Sequence, residues 1–214
     1  NNCIERIRCI WAIPTIEHSE RPMSAGPILH LASTSPRRRE ILEALNLEFT
    51  IIHVDVDESP LDGESPVDMV LRLAKAKAEA ADIAPADLAL GADTAVVIDG
   101  RALGKPVDEP DCLAMLAALS GRGHKVVTGV ALRGAGRTQT ILSETDVYFR
   151  EISRDEALAY WQSGEPCDKA GGYAIQGLGG AFIERIEGSY SGVVGLPVFE
   201  TTTLLRNVGI GVLT

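Results

Sequence analysis

The stretch "PILHLASTSPRRREILEALN", residues 27–46, contains a change of period that decides the fold. Its first half is a short apolar run, read as a buried strand ending near Ser33. Ser35-Pro36 then supplies an N-cap followed by proline at the first helical position, where a fixed φ and a missing N–H do no harm. Ile41, Leu42 and Leu45 recur at helical spacing and are expected on the buried side, with Asn46 as the stop. A helix start offers unpaired backbone N–H groups and a partial positive charge. Arg37 and Arg38 fall in that first turn, where cations are electrostatically unfavourable, so they are read as ligands for an anion. Arg39 is read as a solvated residue on the helix face.

The rest of the composition limits what that anion is. The chain has 214 residues, which suits one domain or two lobes sharing a sheet. Lys and Arg total 20 against 30 Asp and Glu, a net charge of −10, which disfavours long nucleic acids and points to a small anion held at one place. No apolar run reaches the roughly 18–20 residues of a membrane helix. Cys3, Cys9, Cys112 and Cys167 form no CxxC pair and read as free thiols of a reducing cytosol. Residues 1–22 have no clean period and precede Met23, so they are read as an extension to a single domain spanning 23–214.

Outward from the opening unit, "FTIIHV" (49–54) reads as a strand leading into the acidic loop "DVDESPLDGE" (55–64). Ser65-Pro66 with Asp68 starts a helix carrying Lys75 and Lys77, which lie two apart, so at most one of them faces a given site. "LALGADTAVVI" (88–98) is a nearly continuous apolar strand with Asp93 inside it. An unpaired carboxylate there is costly, which marks Asp93 as a site residue. "DG" (99–100) gives a turn and "ALGKP" (102–106) brings Lys105. A helix at 108–119, strands at 124–133 and 138–152, and a helix at 153–164 opened by Ser153 and Glu156 follow. Residues 165–180 read as a glycine-rich loop, ahead of a strand "AFIERIEG" (181–188) and a last helix near 196–206. The elements mix without strict βαβ alternation, so the expected fold is α/β: a mixed, twisted sheet flanked by helices.

Common motifs fail. "GRALGKP" has the wrong glycine spacing for a phosphate loop, "GLGG" is too short for a dinucleotide fingerprint, and "GSYSG" places Tyr190 where a nucleophile is needed. His18, His30, His53 and His124 are scattered and read as ordinary surface or core residues. What survives is a set of cations (Arg37, Arg38, one of Lys75 and Lys77, Lys105, Lys169) and carboxylates (Asp57, Glu58, Asp93). Cations that neutralise charged oxygens, with carboxylates that hold a metal or deprotonate water, are what phosphoryl chemistry needs.

The segments "LASTSPRRREIL", "DVDE", "LAKAKA", "GADT", "LGKP", "LSGRGHKVVTGVAL", "DKAGGYAIQGLGG" and "GSYSGVVGLP" together resemble the Maf family of nucleotide pyrophosphatases, in order and spacing, from about residue 28 to about 208. The resemblance implies two lobes with the site in a central cleft, and a cytoplasmic housecleaning hydrolase that splits a nucleoside triphosphate into monophosphate and pyrophosphate. It implies a divalent metal, Mg2+ or Mn2+, and often a homodimer. By that resemblance Ser33, Arg37 and Arg38 bind substrate, and Lys169, from the set of cations above, is expected to bind it with them. Asp93 is the proton acceptor, Lys77 and Lys105 are active-site lysines, and Asp57, Glu58 and Asp93 face the metal. Arg37, Thr94 and Gln176 match the branch that acts on dTTP and UTP, and an amide can both donate to and accept from a uracil or thymine edge. Two other readings stand beside this one: a nucleotide-binding regulator of cell division with little turnover, and a pyrophosphatase preferring modified pyrimidine nucleotides.

Overall fold

The computed structural model describes residues 26–213. The extension expected at 1–22, with Cys3 and Cys9, lies outside the described residues. The opening unit is strand β1 (Leu29–Leu31), a turn, and helix α1 (Pro36–Ala44) with Ser35 as N-cap. Leu42 alone is buried on α1, while Ile41 is half-buried at the rim of the same cluster and Leu45 is half-buried. Asn46 adopts φ 54°, the left-handed stop that asparagine tolerates. Strand β2 (Phe49–Ile51) is shorter than the expected 49–54, and helix α2 (Pro66–Ala80) starts at Ser65, whose side chain accepts from the Asp68 N–H. Strand β3 (Leu88–Ile98) turns through Asp99 and Gly100, both at positive φ, into β4 (Arg101–Leu103). Helix α3 (Glu109–Leu119), strands β5 (Gly123–Gly134) and β6 (Arg137–Phe149) and helix α4 (Arg154–Gln162) follow, the last opened by a capping box of Ser153 and Glu156. The segment expected as a loop is instead three 3-10 turns, at Glu165–Asp168, Ala170–Gly172 and Leu178–Phe182. Strand β7 (Ile183–Glu187), a short helix α5 (Tyr190–Val194) and helix α6 (Val198–Arg206) complete the order.

The strands form one mixed sheet, ordered β2-β1-β3-β5-β6-β7, with β4 also on β3. On one edge, β3 pairs with β5 from Ala89 to Val97. On the other edge, β1 covers residues 88–90 and β4 covers 96–98, so residues 91–95 have no strand beside them. Alternate β3 side chains point to opposite faces. Leu88, Leu90 and Ala92 join a core with α1 and α6 residues such as Leu42, Leu204 and Leu205. Val96 and Ile98 join a second core with α3 and α4 residues such as Leu116, Leu119 and Tyr160. Along β3, Thr94 stands between the two, and β5 and β6 likewise run from one core to the other, with Val126, Val147 and Phe149 in the second and Val130, Leu132 and Ile141 in the first.

Helix α2 covers the other face. Val70, Leu73, Ala74, Lys77 and Ala78 form its buried stripe, at the spacing of a single helical face. The helix lies close because glycines face it: a β-carbon on Gly91 would stand 2.2 Å from the Ala74 carbonyl oxygen, and one on Gly129 would stand 2.5 Å from that of Val70. Among the described residues no helix is long and apolar enough to cross a membrane.

His124 is a core histidine, 5% exposed, packed edge-on to Phe149 and Tyr173. Its Nε2 lies 2.8 Å from the Tyr173 hydroxyl, and Nδ1 has no hydrogen-bond partner among the described residues. Burial lowers its pKa to about 4, against a weak opposing pull from Asp146. With the folded value below the unfolded one, the unfolded chain takes up the extra proton. Stability is therefore intact above about 6.5 and falls as pH drops toward 4, by on the order of 3 kcal/mol from this residue. Urea midpoints at pH 7.5, 6 and 5 should fall more steeply in the wild type than in His124→Gln. Separately, Gly91→Ala should destabilise the fold by about 1–3 kcal/mol or more, because α2 must move off the sheet. A thermal melt of the variant checks this, and an unchanged melting temperature would show that the close approach is not a constraint.

Candidate active site

A cleft of about 650 Å3 opens at the unpaired stretch of β3. The β1–α1 turn, with Ser33, Arg37 and Arg38, forms one wall, and Lys105, on the connection after β4, stands on another. Glu58, Lys77, Asp93 and Thr94 also line it. Of the two lysines on α2, Lys77 enters the site, whereas Lys75 is 54% exposed and faces Glu79. Lys77 occupies a position where the helical stripe calls for an apolar residue, and its ammonium lies 2.7 Å from Asp93 Oδ1 and 2.6 Å from Glu58 Oε1. Asp93 Oδ2 has no hydrogen-bond partner among the described residues.

The two carboxylates share one cation, yet their environments push them apart. Burial raises the Asp93 carboxyl above the ordinary aspartate value, and the attraction of Lys77 and Arg38 only partly opposes it. Burial also raises Glu58, but there the hydrogen bond and charge of Lys77, with help from Lys105 and Arg38, reverse the effect and leave its pKa lowered. Two carboxylates with diverging proton affinities are suited to different roles, one as an ionised ligand and the other as a base.

Arg38 is fixed before any ligand arrives. Its Nε donates to the Gly195 carbonyl at 2.8 Å, one terminal nitrogen to Ser33 Oγ at 3.1 Å, and the other to Thr94 Oγ1 at 3.5 Å. Gly195 has φ 128°, which excludes a side chain, so the glycine of "VVGLP" serves to aim that carbonyl. Thr128, buried beneath, lies 3.0 Å from Thr94 Oγ1 and donates to the Gly192 carbonyl at 2.8 Å. Ser35 makes no side-chain cap on α1, and no acidic residue lies in the first turn. Ser33 Oγ instead accepts from the Ser35 N–H at 3.2 Å.

A second cavity of about 60 Å3 adjoins the cleft, sharing Arg37, Thr94 and Ala170 with it, and Lys169 and Gln176 line it. The three residues singled out for base selection, on segments remote in sequence, thus share one small pocket. Asp168 ties its mouth together, accepting from Arg37 at 3.2 Å and pairing with Lys169. Lys105 is exposed and makes no hydrogen bond or ion pair among the described residues. Asp57 is exposed, does not line the cleft, and accepts from the Ser59 N–H at 2.9 Å. Among the described residues no three His, Cys, Asp or Glu side chains cluster closely enough to form a metal site by themselves. Gly195, Thr128 and Asp168 carry no catalytic signature in the sequence, and their parts in the site come from long-range contacts alone.

This geometry agrees with what the chain is similar to. A dTTP/UTP pyrophosphatase of Saccharophagus degradans is 54% identical over 182 residues, covering 83% of this chain and 87% of that protein. Proteins of the same name from Hahella chejuensis and Methylobacillus flagellatus are 53% and 51% identical, covering 85% and 86% of this chain and 92% and 94% of their own lengths. The family described as Maf-like protein matches residues 28–208, a span that includes every residue of the cleft and of the pocket beside it. The chain belongs to the Maf family.

Proposed function

We propose that the protein hydrolyses nucleoside triphosphates between the α- and β-phosphates, releasing the monophosphate and pyrophosphate, with dTTP and UTP as preferred substrates. One observation carries the reading: the broken edge of β3 gathers Arg37, Arg38, Lys77 and Lys105 around a half-buried carboxylate, Asp93, with a small polar pocket alongside. The names of the similar proteins support the choice of substrate. The uncapped N-terminus of α1 and the cations would hold the triphosphate oxygens.

The residues fit a hard divalent cation, Mg2+ or Mn2+. Glu58 and Asp93 direct oxygens at one point, now taken by the Lys77 ammonium, and Mg2+ takes one or two carboxylates together with substrate phosphates. Glu58 and Asp93 would hold it, with Asp57 the adjoining carboxylate on the same loop. When bound, the ion would neutralise phosphate oxygens and polarise the α-phosphoryl group.

The chain's own residues supply the rest. Oδ1 of Asp93 faces Lys77 and the point where the cation would be held, which leaves Oδ2 to accept a proton from water. As that proton moves, the water oxygen bonds to the α-phosphorus and the bridging bond to the pyrophosphate oxygen breaks. Burial makes Asp93 more basic than an exposed aspartate, which suits the task. Arg38, Lys77 and Lys105 would balance the charge gathering on the leaving pyrophosphate. The same reading carries a cytoplasmic location, a homodimer, and no nucleic-acid polymer as substrate, the last supported by the net charge of −10.

Asp93→Asn should lower kcat by about 10²–10⁴-fold with nucleotide still bound, measured as pyrophosphate release and by direct titration of dTTP. Retention of more than half the activity would remove Asp93 as the base. Binding of dTTP by the wild type without pyrophosphate release would favour the regulatory role in cell division instead.

The pocket beside the cleft sets the second expectation. Gln176 on its wall offers an amide to a uracil or thymine edge, and a polar group left unpaired by a mismatched base costs about 1–3 kcal/mol. The wild type should show higher kcat/KM for dTTP and UTP than for CTP, ATP and GTP. Gln176→Glu, which turns a donor–acceptor amide into an acceptor alone, should lower the two preferred values by roughly 5–150-fold. Equal wild-type values across the five nucleotides would contradict this assignment of the pocket.

A further inference from the structure

The segment that carries Gln176 is held by two side chains that line neither cavity. Glu165 Oε1 accepts from the Tyr160 hydroxyl at 2.7 Å and from the Gly179 N–H at 3.0 Å, and Oε2 accepts from the Leu178 N–H at 3.0 Å. The Tyr160 hydroxyl also accepts from the Ala174 N–H at 3.1 Å. Ala174 on one side and Leu178-Gly179 on the other are therefore tied to the same pair, with Gln176 midway between them.

Local chemistry explains the arrangement. The 3-10 turn Leu178–Phe182 begins after Gly177, which has no side chain to cap it. The Glu165 carboxylate supplies that cap from across the loop. It also fills the space beside the glycine, since a β-carbon at Gly177 would stand 2.1 Å from Glu165 Oε2. One at Gly179 would stand 2.6 Å from the Tyr160 hydroxyl. The glycines of "QGLGG" and the Tyr160–Glu165 pair are thus fitted to one another. Tyr160 is itself packed in the core, 4% exposed and edge-on to Phe182 at 5.1 Å between ring centres. Burial would raise the Glu165 carboxyl, but the Tyr160 hydroxyl and the two amides more than reverse this and hold it ionised.

We propose that Tyr160 and Glu165 are positioning residues for base selection, fixing Gln176 at the small pocket through the backbone of residues 174–179 without touching substrate. The inference rests on the reading that this pocket receives the pyrimidine. Because the pair lines neither cavity, disturbing it should alter which base is accepted and leave the chemistry at Asp93 in place.

The test measures kcat and KM for dTTP, UTP, CTP and GTP, with a thermal melt, in the wild type, Glu165→Gln and Tyr160→Phe, and repeats each substitution in a Gln176→Ala background. Glu165→Gln sets an amide donor against a backbone donor and should raise KM for dTTP and UTP about tenfold, with kcat within about twofold. The dTTP-to-CTP ratio of kcat/KM should fall by a similar factor. In the Gln176→Ala background the same substitution should leave that ratio unchanged, because its route to the base is gone. An equal loss on all four nucleotides, an unchanged ratio, or an undiminished fall in the Gln176→Ala background would each overturn the proposal. Should Glu165→Gln fail to fold, Tyr160→Phe removes one oxygen, keeps the ring in the core, and is read the same way with a smaller change of about threefold. A wild type without preference for dTTP and UTP would overturn the underlying reading, and it would be seen before any variant is measured.

Discussion

Helix α2 rests on β3 and β5 with two glycines and no side chain between the backbones, and the placement of charge in this protein depends on that contact. The approach at Gly91 and Gly129 brings the buried stripe of the helix down to the strands. Lys77, on that stripe, reaches Asp93 directly. Each charge permits the burial of the other: an aspartate in an apolar strand is costly alone, as is a lysine on an apolar helical face. Replacing the pair with leucines would fill the same space more comfortably. A buried ion pair is weak evidence for stability, so its presence points to the cleft it borders rather than to the core it interrupts.

The sheet's second face divides the remaining work. Two apolar clusters share β3, β5 and β6 and on β3 are divided at Thr94, one built with α1 and α6 and the other with α3 and α4. Asp93 faces α2 and Thr94 faces the opposite side, so consecutive residues deliver a carboxylate and a hydroxyl to one cleft from both faces of the sheet. Arg38 reaches across from α1 and is locked by the Gly195 carbonyl, 157 residues further along the chain. A guanidinium held by three acceptors has already lost the freedom that binding a phosphate would otherwise take from it.

Much of this was legible in the sequence, for physical reasons. The β1–α1 unit announces itself by a change of period and a Ser-Pro start, and Asp93 by standing alone in an apolar run. The spacing of Lys75 and Lys77 left the choice between them open and the resemblance named Lys77, which agrees with the buried side that Val70, Leu73 and Ala74 define. What was not legible depends on distant segments. The turns within 165–182 have glycine-rich composition and no period, so their order comes from Glu165 and Tyr160 rather than from local preference. Helix α5 is a single short turn within a glycine-rich stretch, too brief for any periodicity to register. Asp57 and Glu58 are indistinguishable as neighbouring acids, and only the fold shows that Glu58 meets Lys77 while Asp57 closes a turn with Ser59.

The interruption along β3 has a further consequence, for association between molecules. An exposed strand edge is a template for another chain, and proteins blunt such edges with charge, short strands or bulges. Here the open edge lies inside the sheet, bounded by β1 at one end and β4 at the other. Five strand residues span about 17 Å. An incoming strand would have to enter sideways into a slot closed at both ends, past charged walls. The protein can therefore leave backbone donors and acceptors facing its cleft, where a small polyanion has access, without offering a long edge on which aggregates could grow.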